Sequence, residues 1–377
     1  MRRPALRAAL GLLALGSLAA ALHAQPAAGP TQVALGDGFG CGLAADGTVR
    51  CWGECGDGQC GSPGGDARTP RPVPGLSAVR AIDAGYGFAC ALGEDGQVRC
   101  WGDNGYGQLG VEGVEERAEP EPVPGVEGAT AIALGSFHAC ALVEGGEVRC
   151  WGSNRYANLG VPQPERVRAE ARPVPRLRAT AIWSGKYHSC ARDRRGRLVC
   201  WGSSDHGQVG TRRRVRRAGL TRVRGTGSVE QVSLGGSQSC VLGAEGELRC
   251  WGQNLFNVGE GSVSMHPRPV VDPRAAGAEG LSVYGENHCI VRGGQVLCWG
   301  VNRTHFLHVP TDEMGEVVLE PSAVPGLRDA TAVELGASAV CARRASGQWV
   351  CWGRNRHGAV GVGSADPMVS APTPLPW

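Results

Sequence analysis

The stretch "HACALVEGGEVRCWGSNRYANLG", residues 138–160, sets Cys140 and Cys150 ten positions apart and places Trp151 and Gly152 directly after the second cysteine. "HACAL" and "EVRCW" read as two β-type runs joined by "VEGG", so the cysteines fall symmetrically about Gly145. A hairpin with a three-residue turn puts them opposite each other, and Gly146 occupies the place where such a turn needs a left-handed residue. The unit recurs as "GFGCGLAADGTVRCWG", "GFACALGEDGQVRCWG", "YHSCARDRRGRLVCWG", "SQSCVLGAEGELRCWG", "ENHCIVRGGQVLCWG" and "SAVCARRASGQWVCWG". The second cysteines, Cys51, Cys100, Cys150, Cys200, Cys250, Cys298 and Cys351, follow one another at intervals of 49, 50, 50, 50, 48 and 53. Seven copies fill the chain, which is the signature of a repeat architecture.

The turn glycine keeps its place in six units, as Gly47, Gly96, Gly146, Gly196, Gly246 and Gly347. In the sixth unit "CIVRGGQVLC" has one residue fewer, and Gly293-Gly294 form a two-residue turn that again leaves Cys289 opposite Cys298. Spacing changes while pairing survives, and a metal site has no reason to track turn length. Seven cross-strand disulfides follow: Cys41–Cys51, Cys90–Cys100, Cys140–Cys150, Cys190–Cys200, Cys240–Cys250, Cys289–Cys298 and Cys341–Cys351. Each closes a loop of about ten residues, worth roughly 2–3 kcal/mol in loop-closure entropy. Cys55 and Cys60 in "CWGECGDGQC" bring the total to sixteen and are assigned to an eighth, loop-local disulfide, with zinc as the competing reading.

The N-terminus, "MRRPALRAALGLLALGSLAAALHAQPA", has a basic start, an apolar run from Ala8 to Leu22 and small residues near Ala24. This is the anatomy of a secretory signal peptide over 1–24, leaving one domain over 25–377 in an oxidising compartment: secreted, periplasmic or at the cell surface. No cysteine lies at the cleavage point, so a lipid anchor is disfavoured. Without Arg2, Arg3 and Arg7 the formal charge of +3 falls to zero, which removes a global electrostatic case for nucleic acid. Sixty glycines, 24 prolines and 5% aromatics disfavour long helices. A single lysine among many arginines matches a GC-rich bacterial genome.

Each unit reads as four strands, A to D, with the paired cysteines in B and C. Seven four-stranded units close better into a ring than into an open stack, since a ring hides strand edges. "AGYGFACALGEDGQVRCWGDNGYGQLG" (84–110), "HACAL", "WGSNRYANLG" and "WGSSDHGQVG" resemble the repeats of the regulator of chromosome condensation family over residues 31–377. The resemblance implies an all-β, seven-bladed β-propeller of four-stranded antiparallel blades. The cysteine pairs depart from the nuclear members and are similar to the secreted bacterial ones.

The tryptophans after each second cysteine, Trp52, Trp101, Trp151, Trp201, Trp251, Trp299 and Trp352, are expected to fill space between blades. His138 and His188, replaced at equivalent places by Phe39, Phe88 and Gln238, are read as packing or hydrogen-bonding residues. No nucleophile elbow, phosphate loop or zinc-protease helix appears, so no catalytic, cofactor or metal residue is assigned and the chain is read as a non-enzyme. The C–D segments vary most: "VEGVEERAEPEP" (111–122) is acidic, whereas "TRRRVRRAGLTRVR" (211–224) carries Arg212, Arg213, Arg214, Arg216, Arg217, Arg222 and Arg224 and no acid. These seven arginines are the candidate partner-binding residues, in a loop on one face of a rigid scaffold. The expected function is a monomeric protein-interaction scaffold. The alternatives are a secreted enzyme inhibitor, by analogy of fold, and an anionic-polymer binder through the arginine loop. The resemblance would bring a small GTPase or chromatin as partner, which secretion disfavours.

Overall fold

Residues 29–161, 166–211, 215–254, 264–302, 306–309 and 317–377 are described by the structure, a computed structural model. The expected signal peptide, 1–24, and Arg212, Arg213 and Arg214 lie outside the described residues.

Twenty-eight strands form seven four-stranded antiparallel sheets, each in the order A-B-C-D. Blade 3 is typical, with strands Ala129–Leu134, His138–Val143, Val148–Ser153 and Val167–Pro173. Strand B is buried along nearly its whole length because it is flanked in its sheet and covered on both faces. Strand D alternates exposed and covered residues at the outer edge.

In all seven blades the paired cysteines face each other in register and are joined, with Cα atoms 4.0–4.2 Å apart. In blade 2 Gly93 bonds to Gln97 across the three-residue turn Glu94-Asp95-Gly96, and Gly96 has φ 73°. A Cβ there would also lie 3.0 Å from Gly128 Cα of the link to the next blade, so conformation and contact both demand glycine. Blade 6 makes the two-residue turn, with Gly293 at φ 55° and Gly294 at φ 75°. Cys55 and Cys60 are joined within the first C–D connection and are almost fully buried.

The tryptophans bind the ring together. All seven are buried, and among the described residues six donate the indole Nε1 to a carbonyl in the C–D connection of the preceding blade: Trp101 to Gln59 (3.0 Å), Trp151 to Gln108 (2.8 Å), Trp201 to Asn158 (2.7 Å), Trp251 to Gln208 (2.8 Å) and Trp352 to Leu307 (3.4 Å). Trp52 of blade 1, the sixth, donates likewise to Ala359 of blade 7 (3.2 Å), so the seam uses the same kind of bond as these other joints. Every blade is built of consecutive strands, and no strand crosses the seam.

Around the inner rim a second ring runs through the A–B turns. Asp37 N–H donates to Tyr86 O, Tyr86 to Ser136 O, Ser136 to Lys186 O, Lys186 to Gly235 O and Gly236 to Gly285 O, at 3.1–3.3 Å. The histidines take the hydrogen-bonding role expected of them: His138 Nε2 pairs with Ser189 Oγ of blade 4 at 2.9 Å, and His188 Nε2 with Ser239 Oγ of blade 5 at 2.7 Å. Burial holds them near pKa 4 and 3, respectively, with His138 adding to the effect on His188, so both are neutral links between blades.

Candidate functional site

The A–B turns and C–D connections meet on one face. Asp103 N–H donates to Gly87 O at 2.9 Å, Ser153 to Phe137 O at 2.7 Å and Ser203 to Tyr187 O at 2.9 Å, each bond tying the start of a C–D connection to the A–B turn of its own blade. The loop tips of that face carry the aromatic residues that the ring does not need for packing. Tyr86, Phe137 and Tyr187 come from the A–B turns of blades 2, 3 and 4; Tyr106 and Tyr156 come from the C–D connections of blades 2 and 3.

These five form an arc. Phe137 packs against Tyr86 at 5.1 Å and Tyr106 at 4.8 Å between ring centroids, and Tyr156 packs against Tyr187 at 5.4 Å. Tyr86 and Tyr106, which both pack on Phe137, are nevertheless 47% and 41% exposed, high for aromatic side chains. A pocket of about 100 Å³ opens between Tyr106, Phe137, Tyr156 and Tyr187, with Arg155 and Lys186 on its wall. Arg155 and Arg216 both lie over the Tyr156 ring, at 5.7 and 5.5 Å.

The structure divides the arginine cluster. Arg216 and Arg217 join the aromatic arc, Arg217 Nε donating to the Arg155 carbonyl at 2.8 Å. Arg222 and Arg224 sit at the other end of the blade. The expected loop over 211–224 is corrected: Val215–Arg222 is strand D of blade 4, pairing with strand C through Val199↔Arg222 and Ser204↔Val215. The strand travels from one face to the other, so six residues at roughly 3.3 Å each separate Arg216 from Arg222 by about 20 Å. The acidic 111–122 segment is likewise mostly strand D of blade 2, Glu116–Pro122, on the outer rim.

Acidic groups that sequence reasoning passed over lie elsewhere on the same side. Asp37, Glu54, Asp57 and Asp103 line a cleft of about 440 Å³ between blades 7, 1 and 2, whose wall they share with Arg354, Arg356 and His357. Asp83 and Glu334 line the central channel, about 270 Å³, which the A strands enclose. Burial raises Asp83 to about 6 even though Leu134 N–H and Ala84 N–H each donate to it at 2.8 Å. Burial, and then the charge of Asp83, raise Glu334 to about 8. Lys186 reaches over the channel mouth, its Nζ 4.4 Å from the Tyr284 ring centroid; burial lowers its pKa, and the charges of Asp37 and Glu286 oppose that. Asp83 and Glu334 occupy the strand A place opposite the first cysteine, where other blades have Ala34, Ala133, Trp183, Ser233 and Ser282, and register with Cys90 and Cys341 was the signal that marks them.

Seven like blades, one variable loop face and a narrow polar channel define a closed β-propeller of tandem repeats. The chain belongs to the RCC1-like domain family, whose profile matches residues 9–317. Its fold is similar to that of Prp20p from Saccharomyces cerevisiae, at TM-score 0.75 and 21% identity over 88% of this chain and 87% of that one. Human WBSCR16 matches at TM-score 0.60 and 20% identity over 91% and 80% of the two chains. The ectodomain of the Arabidopsis thaliana receptor kinase ACR4 matches at TM-score 0.53 and 19% identity, over 87% of this chain and 96% of that one. No curated protein matches the sequence. Among the described residues no helix is long and apolar enough to cross a membrane.

Proposed function

We propose that this protein is a secreted or surface-exposed interaction scaffold that binds a protein partner through the face of the A–B turns and C–D connections. The observation that carries this reading is the arc of Tyr86, Tyr106, Phe137, Tyr156 and Tyr187 with Arg155 and Arg216 on one edge of the channel mouth. Tyrosine and arginine dominate the energetically central residues of protein interfaces, and a rigid ring presents them with little ordering cost. The family supports a protein partner: Prp20p is described with its binding to Gsp1p and histones, and yeast RCC1 bound to Kap60 has been crystallised. Export, through removal of 1–24, fits eight disulfides and an ectodomain relative. A polymer-binding role is less favoured, because Arg222 and Arg224 lie about 20 Å from Arg216.

The test is affinity capture from the surface and periplasmic fractions of the producing organism, with the mature chain and with a Tyr86→Ala/Tyr106→Ala variant of equal thermal stability. A specific protein retained by the parent and lost by the variant supports the reading. Equal retention by both places the interface elsewhere.

A further inference from the structure

We propose that the pocket between Tyr106, Phe137, Tyr156 and Tyr187 receives one acidic side chain from the protein partner; this rests on the binding face assigned above. Four cationic residues gather there. Arg155 and Lys186 line the pocket, Arg216 shares the Tyr156 ring with Arg155, and Arg217 is tied to the Arg155 backbone. No carboxylate lines the pocket. Among the described residues Arg155, Arg216 and Arg217 have no acidic partner, whereas Arg99, Arg197, Arg249, Arg274 and Arg344 each pair with an aspartate or glutamate at 2.7–3.1 Å.

Two guanidinium groups over one tyrosine repel each other, and a carboxylate between them would relieve that repulsion while accepting their hydrogen bonds. The rings of Tyr106, Phe137, Tyr156 and Tyr187 offer apolar contact to the methylenes of an aspartate or glutamate. The volume, about 100 Å³, leaves room for a carboxylate and its methylenes. The neighbouring cleft is of mixed charge, Asp37, Glu54, Asp57 and Asp103 sharing its wall with Arg354, Arg356 and His357, so a continuous polyanion crossing the face would meet carboxylates there as well as cations. A discrete acid on a protein surface reaches the pocket without meeting those carboxylates.

The test uses the intact mature chain and ligand-observed saturation-transfer NMR with four probes: the acetylated, amidated peptide GSESG, its counterpart GSQSG, inorganic phosphate and a short oligothymidylate. GSESG is expected to bind about ten-fold more tightly than GSQSG. Arg155→Gln and Arg216→Gln should each weaken GSESG by about three-fold or more, while Arg224→Gln, at the far end of the blade, should leave it unchanged. Near-UV circular dichroism and thermal melting certify the fold of each variant, and Lys186→Gln gives an independent third perturbation. Equal binding of the two peptides, or indifference to all three pocket variants, overturns the proposal. Tighter binding of phosphate or of the oligothymidylate than of GSESG overturns it too, in favour of another anion. If GSESG fails while the Tyr86→Ala/Tyr106→Ala variant still loses the captured partner, the acidic-side-chain assignment falls and the interaction face stands.

Discussion

The two faces of the ring are both stitched blade to blade, but with different consequences for side chains. On the B–C face the turn glycine carbonyl accepts from the first residues of the next blade: Val79 N–H donates to Gly47 O at 3.2 Å, Ala129 to Gly96 O at 2.8 Å and Ala330 to Gly294 O at 2.8 Å. At Gly47, Gly96 and Gly294 the neighbouring backbone comes within 2.4–3.0 Å of where a Cβ would stand, so those turn residues cannot carry a side chain. On the opposite face backbone bonds also join successive A–B turns, but the residue after the strand A glycine varies: Asp37, Tyr86, Ser136, Lys186, Gly236, Glu286 or Ala337. Side-chain variation is concentrated on that face, and the proposed recognition residues lie there.

If the faces divide their labour in this way, damage at the joints should appear in stability, and damage at the variable tips in binding. The largest effect is expected from Trp151→Ala, which empties a fully buried site and strands the Gln108 carbonyl; about 3–5 kcal/mol of stability should be lost in denaturant titration. Replacing Cys140 and Cys150 together with Ala should cost about 2–3 kcal/mol, or appear as faster unfolding, with the remaining blades intact. A double variant as stable and as slow to unfold as the parent would remove the structural role given to the hairpin disulfides.

The channel acid is a smaller and pH-dependent term. Glu334, raised from 4.5 to about 8 in the fold, binds its proton more tightly folded than unfolded, so its contribution favours the folded state at low pH and declines as pH rises from 4.5 through 8. Glu334→Gln should therefore stabilise the protein above pH 8 by about 1–3 kcal/mol, moderated by water in the channel, and have little effect below pH 4.5. The histidine links act in the opposite sense. His138 and His188, depressed from 6.5 to about 4 and 3, contribute stability above pH 6.5 that is lost as pH falls through those values. Thermal melts of parent and E334Q between pH 3 and 9 separate the two effects.

The smallest effect is kinetic. Changing Arg216 and Arg217 to Ser should slow association with the captured partner by a few-fold at low salt, with the difference shrinking as salt rises. Changing Glu94, Arg195 and Glu245, exposed on the B–C turns, should leave association unaltered. Loss of binding in the turn variant alone would reverse the assignment of faces.

The hairpins, their disulfides and the interblade tryptophans were legible because each is written within one unit and repeated in register. Seven restatements of one spacing leave little freedom in what it means. The aromatic pocket was not legible, since Tyr106, Phe137, Tyr156 and Tyr187 come from three units and each alone resembles an ordinary turn residue. The arginine run misled in the other direction. Adjacency along the chain looked like adjacency in space, but an extended strand carried its two ends to opposite faces.

The seam between blades 7 and 1 has a further consequence. Trp52 donates to Ala359 and Ala337 N–H to Gly36 O, contacts of the kind found at other joints; Asp66 pairs with His357 in addition, and none of these is a shared strand. The two ends of the described chain also adjoin, Trp349 donating to Pro30 O at 2.8 Å and Arg50 lying over Trp377. The polypeptide therefore behaves as a cyclic object cut at one of seven nearly equivalent places. Joining the ends by a short linker and reopening the chain at another D–A link is a circular permutation that would leave every blade whole.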